Sequence, residues 1–208
     1  MAEAIALAKE LNDMHALHVA LWAAAILAQF EGDPAEVERL ASDLIELSTR
    51  QNFSQFLGGG EVLRGWARSA CGDAAEGLAW IEGGIEDWMA TGAILAAPPM
   101  SYYLALKAEA LYLASRTSEA LEAITEAEAW VERSEERWWC AELHRLRGVF
   151  LAALGAQESQ IESSFGEAIR IAREQKSVSL EKRAEATYGE YRRQKVSASG
   201  GHGFRLPL

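Results

Sequence analysis

The chain has 208 residues, half of them apolar, with 17 glycines and 4 prolines. A chain of this size buries roughly 70% of the surface its unfolded form exposes, so a core of ordinary size is available. The formal net charge of −11 argues against a nucleic-acid groove spanning the molecule. The two cysteines, Cys71 and Cys140, offer no disulfide framework, and a reducing cytoplasm is the expected compartment.

In chain order, the pattern predicts helices almost throughout, because alanine, leucine, glutamate and arginine dominate. Residues 2–12 carry Ala4, Leu7, Ala8 and Leu11 on one side, as a short amphipathic helix does. No charged and apolar leader of the signal-peptide type follows Met1-Ala2-Glu3. A helix over 14–31 follows. Its apolar run from Val19 to Phe30, about 12 residues and interrupted by Gln29, is too short to cross a bilayer. Gly32-Asp33-Pro34 makes a turn, with Asp33 as N-cap and Pro34 at the first helical position. The next helix, 35–50, has one stripe of Val37, Leu40, Ala41, Leu44 and Leu47. A second pair covers about 54–71 and 74–91, with Gly72-Asp73 as turn and cap and Gly92 as a C-terminal left-handed residue. Pro98-Pro99 lies in the linker. The third pair is 99–115 and 117–133, with Thr117 as cap, and the fourth is 136–154 and 157–175. A helix over 179–193 caps the end, and the tail 196–208 is rich in serine and glycine before Phe204 to Leu208.

One motif recurs through these elements. A small helical residue precedes a turn residue by seven positions: Ala25 before Gly32, Gly65 before Gly72, Ala108 before Ser115, and Gly148 before Gly155. The steps between the small residues are 40, 43 and 40. A period of this size predicts stacked helix pairs, each packing on its neighbours. The expected fold is therefore all-α: an α-α superhelix of about four helix pairs (14–50, 54–91, 99–133 and 136–175) plus end helices 2–12 and 179–193. Together they make one repeat domain over 1–195, with 196–208 as a tail.

Ala108, Ser115, Ala120, Ile124 and Ala127 resemble a tetratricopeptide repeat, as do Gly65, Gly72, Gly77, Ile81 and Gly84 with glycines in place of alanines. The period near 40 departs from that family's usual 34, so longer helices or loops are expected. The stretch from Trp139 to Gly148, followed by Ala168 to Gln175, is similar to the C-terminal repeat region of large bacterial signalling ATPases, which often carry an adenylate-cyclase-like or DNA-binding domain. The similarity covers roughly residues 58–193. It implies a sensor or interaction segment, without the cyclase or ATPase modules. The first helix is of the second type in a pair and lacks its partner, as if the chain were cut from a longer array.

The chemistry-bearing motifs are mostly negative. None of the 17 glycines is followed by lysine, so the phosphate-binding loop pattern is missing. Gly58-Gly59-Gly60 is read as the start or a kink of a helix. His15 and His18 share a helical face without further ligands, and His144 lacks the second histidine of a zinc-protease helix. No serine or cysteine sits in a nucleophile context, so no catalytic residue, metal or cofactor is assigned.

Seven tryptophans remain: Trp22, Trp66, Trp80, Trp88, Trp130, Trp138 and Trp139. In tetratricopeptide superhelices, four positions of the first helix of each pair face the inner groove. Counting from the small residue, the resemblance selects Trp22, Ile26 and Gln29, then Trp66 and Ser69, then Tyr102, Glu109 and Tyr112, then Glu142 and Arg145. An aromatic and polar groove suits a peptide or helix. Trp22, Trp66, Tyr102 and Tyr112 are the expected anchors, while Trp80, Trp88 and Trp130 fall on second helices. Residues 168–208 carry 9 basic and 4 acidic residues, read mainly as a solvated face.

The expected function is thus a non-catalytic interaction or sensor module in bacterial signalling, binding a protein or peptide partner. Neither nucleic acid nor membrane is expected as a partner. The alternatives are an effector-sensing domain of a transcription regulator that binds a small molecule, and self-association into a homo-oligomer.

Overall fold

The computed structural model describes residues 1–90 and 100–197. Gly92, Pro98-Pro99 and the tail from 198 onward lie outside the described residues. Ten helices make up the described chain: α1 Ala2–Glu10, α2 Met14–Glu31, α3 Pro34–Gln51, α4 Ser54–Ala70, α5 Ala74–Ala90, α6 Met100–Leu113, α7 Thr117–Ser134, α8 Cys140–Ala153, α9 Glu158–Glu174 and α10 Val178–Ser197. The fold is all-α, and consecutive helices pack on one another within each of two compact units, Met1–Ala96 and Ala97–Leu208.

Every described junction between helices within a unit turns on a single residue with positive φ. These residues are Asn12, Gly32, Asn52 and Gly72 in the first unit, and Ser115, Glu135, Gly155 and Lys176 in the second. The first four are spaced by 20 residues; the next three repeat that spacing, and Lys176 follows after 21. One helix and one corner therefore take about half of the sequence period. The left-handed corner lets the last amides of a helix bond back to its own carbonyls. Asp33 N bonds to the Ala28 carbonyl, and Asp73 N to that of Arg68, both at 3.0 Å.

Helix starts are set by short acidic caps. Asp13, Asp33 and Asp73 accept from the amides of Ala16, Glu36 and Glu76 at 3.0, 3.0 and 3.3 Å. Such a cap contributes about 1 kcal/mol. Thr117 does not cap: it is the first residue of α7, Arg116 stands at the cap position, and no side chain makes the cap bond. The Arg116 guanidinium instead bonds to Glu119. α8 begins at Cys140, four residues later than the pattern predicts. Glu135 turns the chain, and the Glu136 carboxylate is taken by Ser101 Oγ at 3.0 Å and Trp138 Nε1 at 2.9 Å. These bonds hold the segment out of the helix.

In the first unit α2 touches α4 as well as α3, and α3 has no contact with α5. Val37, Ala41, Leu44, Val62, Leu63 and Ile81 are fully buried. The α4–α5 hairpin is the closest pair, made so by glycine. A methyl at Gly58 would meet the Gly84 carbonyl at 2.5 Å, and one at Gly84 the Gly58 carbonyl at 2.6 Å. In the second unit α6 touches α8, and α8 touches α10, while α7 and α9 do not meet. Gly148 of α8 seats the Phe165 ring of α9, whose atoms lie 2.8–2.9 Å from where a β-carbon would stand. Phe165 stacks on Tyr188 of α10, ring centroids 5.3 Å apart.

Candidate functional site

The residues selected by register fall on α2, α4, α6 and α8. In the first unit Trp22 is half-buried, whereas Ile26, Gln29, Trp66 and Ser69 are buried. Ser69 Oγ donates to its own helix, to the Gly65 carbonyl at 2.9 Å. In the second unit Tyr102 and Glu109 are buried, and Tyr112 is half-buried against Phe150 at 5.2 Å. Glu142 and Arg145 are each 1% exposed.

Glu142 and Arg145 lie one helical turn apart on α8 and form a two-pronged pair. Arg145 Nε and Nη2 donate to the two Glu142 oxygens at 2.9 and 2.7 Å. Its remaining prong, Nη1, donates to Thr187 Oγ1 on α10 at 3.2 Å. That hydroxyl in turn donates to the Arg183 carbonyl at 3.0 Å. The Arg183 guanidinium stands 3.5 Å from Glu142. From α6, Glu109 adds a negative charge felt by both Arg145 and Tyr102. Three helices therefore contribute to one buried polar layer.

Electrostatics follow from that arrangement. Burial alone would raise the Glu142 carboxyl, but the charges of Arg145 and Arg183, with the Arg145 hydrogen bonds, outweigh it and hold it below the ordinary carboxylate value. Burial opposes the charge on Arg145 as well, and Glu142 reverses that, so the guanidinium stays charged. The Tyr102 hydroxyl is pushed well up by burial and by Glu109. Its ring meets Trp139 edge-on, centroids 5.3 Å apart at 84°. Among the described residues no group of three or more His, Cys, Asp or Glu is arranged to hold a metal ion.

Arg183, Thr187 and Trp139 are members of this layer that the register count does not select. Thr187 lies 42 residues after Arg145, one repeat further along the chain. The period carries a signal for it, but a helix read only as a cap hides that signal. The basic C-terminal region is largely neutralised within the chain. Arg170 pairs with Glu167 and Glu174, Arg173 with Glu181 and Glu185, Arg193 with Glu190, and Lys195 with Glu158. Of the tryptophans on second helices, Trp80 carries the Arg64 guanidinium 4.6 Å from its ring centre.

No family model matches the chain. It is similar to an uncharacterized protein of Rhizobium meliloti (strain 1021), 25% identical over 184 residues, which is 88% of this chain and 18% of that protein. The chain thus spans less than a fifth of the length of the curated relative it matches. Among the described residues, no helix is long and apolar enough to cross a membrane.

Proposed function

We propose that the chain is a tetratricopeptide-like superhelical module, cytoplasmic and non-catalytic, that binds a peptide, a helix or a partner domain within a bacterial signalling protein. Two features support a superhelix. The corners recur every 20 or 21 residues within each unit. The first helices of successive pairs touch (α2 with α4, α6 with α8), whereas the second helices do not. The match to a fraction of a much longer protein accords with a repeat segment serving a larger machine.

The observation that carries the binding reading is the polar layer of Glu109, Glu142, Arg145, Arg183 and Thr187. Such a layer is weak evidence of a stabilising role, because apolar residues of equal volume often replace a buried ion pair without loss. Glu142 and Arg145 are each 1% exposed, so they act on a partner only by fixing the place of Arg183, the member of the layer whose side chain reaches the surface. A charge held in place discriminates among partner segments. Tyr102 and Trp139, 0% and 1% exposed, brace the layer from within and present no ring to a partner.

The test is selection of displayed peptides on the wild-type chain, followed by affinity measurement on the double variant Glu142→Met, Arg145→Met. The expected result is an enriched peptide class that binds the variant at least about tenfold more weakly, a loss of about 1.4 kcal/mol, with the thermal transition preserved. Failure to enrich any peptide, or equal affinity for the two proteins, rejects the reading.

A further inference from the structure

The second unit holds a cleft on which the polar layer makes no claim. α7 and α9 each pack on α8 without touching one another, and the gap between them is a cleft of about 920 Å³. That volume lies at the upper end of the range for small-molecule sites. Its floor is apolar, with Val131, Leu143 and Ile171, and half-buried His144 lies among them.

Two guanidinium groups paired with carboxylates line the cleft. Arg147 of α8 is held by Glu128 of α7, Nε to Oε1 at 2.8 Å, and its Nη2 donates to Thr125 Oγ1 at 3.3 Å. Arg170 of α9 is held by Glu167, Nε to Oε2 at 2.8 Å, and by Glu174. A guanidinium whose charge is met by its own carboxylate presents a flat surface that stacks on aromatic rings and has no need of an anion. The lining as a whole carries four carboxylates (Glu128, Glu132, Glu167, Glu174) against three guanidinium groups (Arg137, Arg147, Arg170), so its field does not favour phosphate. Burial lowers the His144 pKa, against the pull of Glu128 and Glu167 and with help from Arg147 and Arg170. At neutral pH the ring therefore offers one donor and one acceptor.

We propose that the α7–α8–α9 cleft is a binding site for a planar, uncharged heteroaromatic molecule, which stacks on Arg147 or Arg170 and hydrogen-bonds to the His144 imidazole. The apolar floor takes the ring system, and the single polar group on that floor sets its orientation. This site is independent of the polar layer, and the two fail or succeed separately.

Cys140 lines the same cleft one turn before His144, which supplies the readout. In a Cys71→Ser background, the alkylation rate of Cys140 is followed with adenosine, lumiflavin and indole-3-acetamide as probes, and the His144 ring protons are followed by NMR. The expected result is saturable protection of Cys140 by at least one probe, about fivefold or more, with a matching shift of the His144 signals. His144→Gln and His144→Ala should each weaken that probe about tenfold, as loss of one buried hydrogen bond does. Adenosine monophosphate should bind no more tightly than adenosine. No saturable protection by any of the three probes overturns the proposal. Unchanged affinity in both folded His144 variants, or tighter binding of the monophosphate, overturns it equally.

Discussion

A β-carbon on Gly65 would stand 2.5 Å from the carbonyl oxygen of Gly77, and one on Gly77 would stand 2.5 Å from the carbonyl oxygen of Gly65. The two backbones of the α4–α5 hairpin thus touch with no room for a methyl on either side. Ile81 closes the same spot, its Cγ1 lying 2.6 Å and its amide nitrogen 2.8 Å from the Gly65 position. Backbone cannot move aside as a flexible side chain does, so the helices must separate. Gly65→Ala and Gly77→Ala are each expected to destabilise the chain by about 1–3 kcal/mol. Gly83, on the same helix as Gly77, has nothing within 4 Å. Gly83→Ala should therefore stabilise by about 0.5–1 kcal/mol through helix propensity alone. Urea unfolding of the three variants checks both signs.

Removing one half of the α8 ion pair should cost far more than removing both. Arg145→Ala leaves Glu142, 1% exposed, without its two hydrogen bonds, and the expected loss is about 3–5 kcal/mol. The double methionine variant should recover most of it. Equal losses in the two proteins, measured by thermal unfolding, would show that the pair acts through packing alone.

Acid should expose the same pair. The folded Glu142 carboxyl titrates below its ordinary value of 4.5. Its contribution to stability is therefore complete above that value and is lost as pH falls through the lower folded value. Glu142→Gln should flatten this part of the acid unfolding curve. A variant curve parallel to that of the wild type down to about pH 2.5 would count against the assignment.

His144 has the opposite demand. Its folded pKa lies below the ordinary 6.5 because the ring is buried. As pH drops below that value the unfolded chain takes up a proton that the folded chain refuses. Stability falls in that window and is unaffected above it. Between about pH 7.5 and pH 5.5 the wild type should lose more in melting temperature than His144→Gln does. Scanning calorimetry at several pH values reads the difference directly.

The two cysteines should separate by reactivity. Cys71 is exposed at the end of α4, whereas Cys140 is half-buried and its thiol is pushed up by burial. At neutral pH a thiol reagent should modify Cys71 in a fast phase and Cys140 in a slow one, because the thiolate is the reacting form. Comparison of Cys71→Ser and Cys140→Ser assigns the phases.

The helical order of the chain is legible in its sequence because the turns are chemically marked. Gly32 and Gly72, each followed by an acidic cap, announce two corners without any tertiary information. Glu135 and Lys176 do not announce theirs: a charged side chain seldom takes a positive φ, and here the packed helices on either side require it. The delayed start of α8 escapes notice for a related reason. Glu136 is drawn to Ser101, 35 residues away, a bond that no local pattern encodes. Register counting selects Glu142 and Arg145 because both lie on one face of a helix. It cannot tell that they are shielded from water, since coverage depends on what neighbouring elements bring. Arg183 and Thr187 bring it from α10.

The regular corners have a kinetic consequence. Within each unit, every helix contacts only those one or two elements away in the chain, so no contact waits for distant segments to find one another. Low contact order of this kind makes for rapid folding. Within a unit, a nascent chain leaving the ribosome can close each helix on the one before it, and the ordering entropy is met in small instalments as synthesis proceeds.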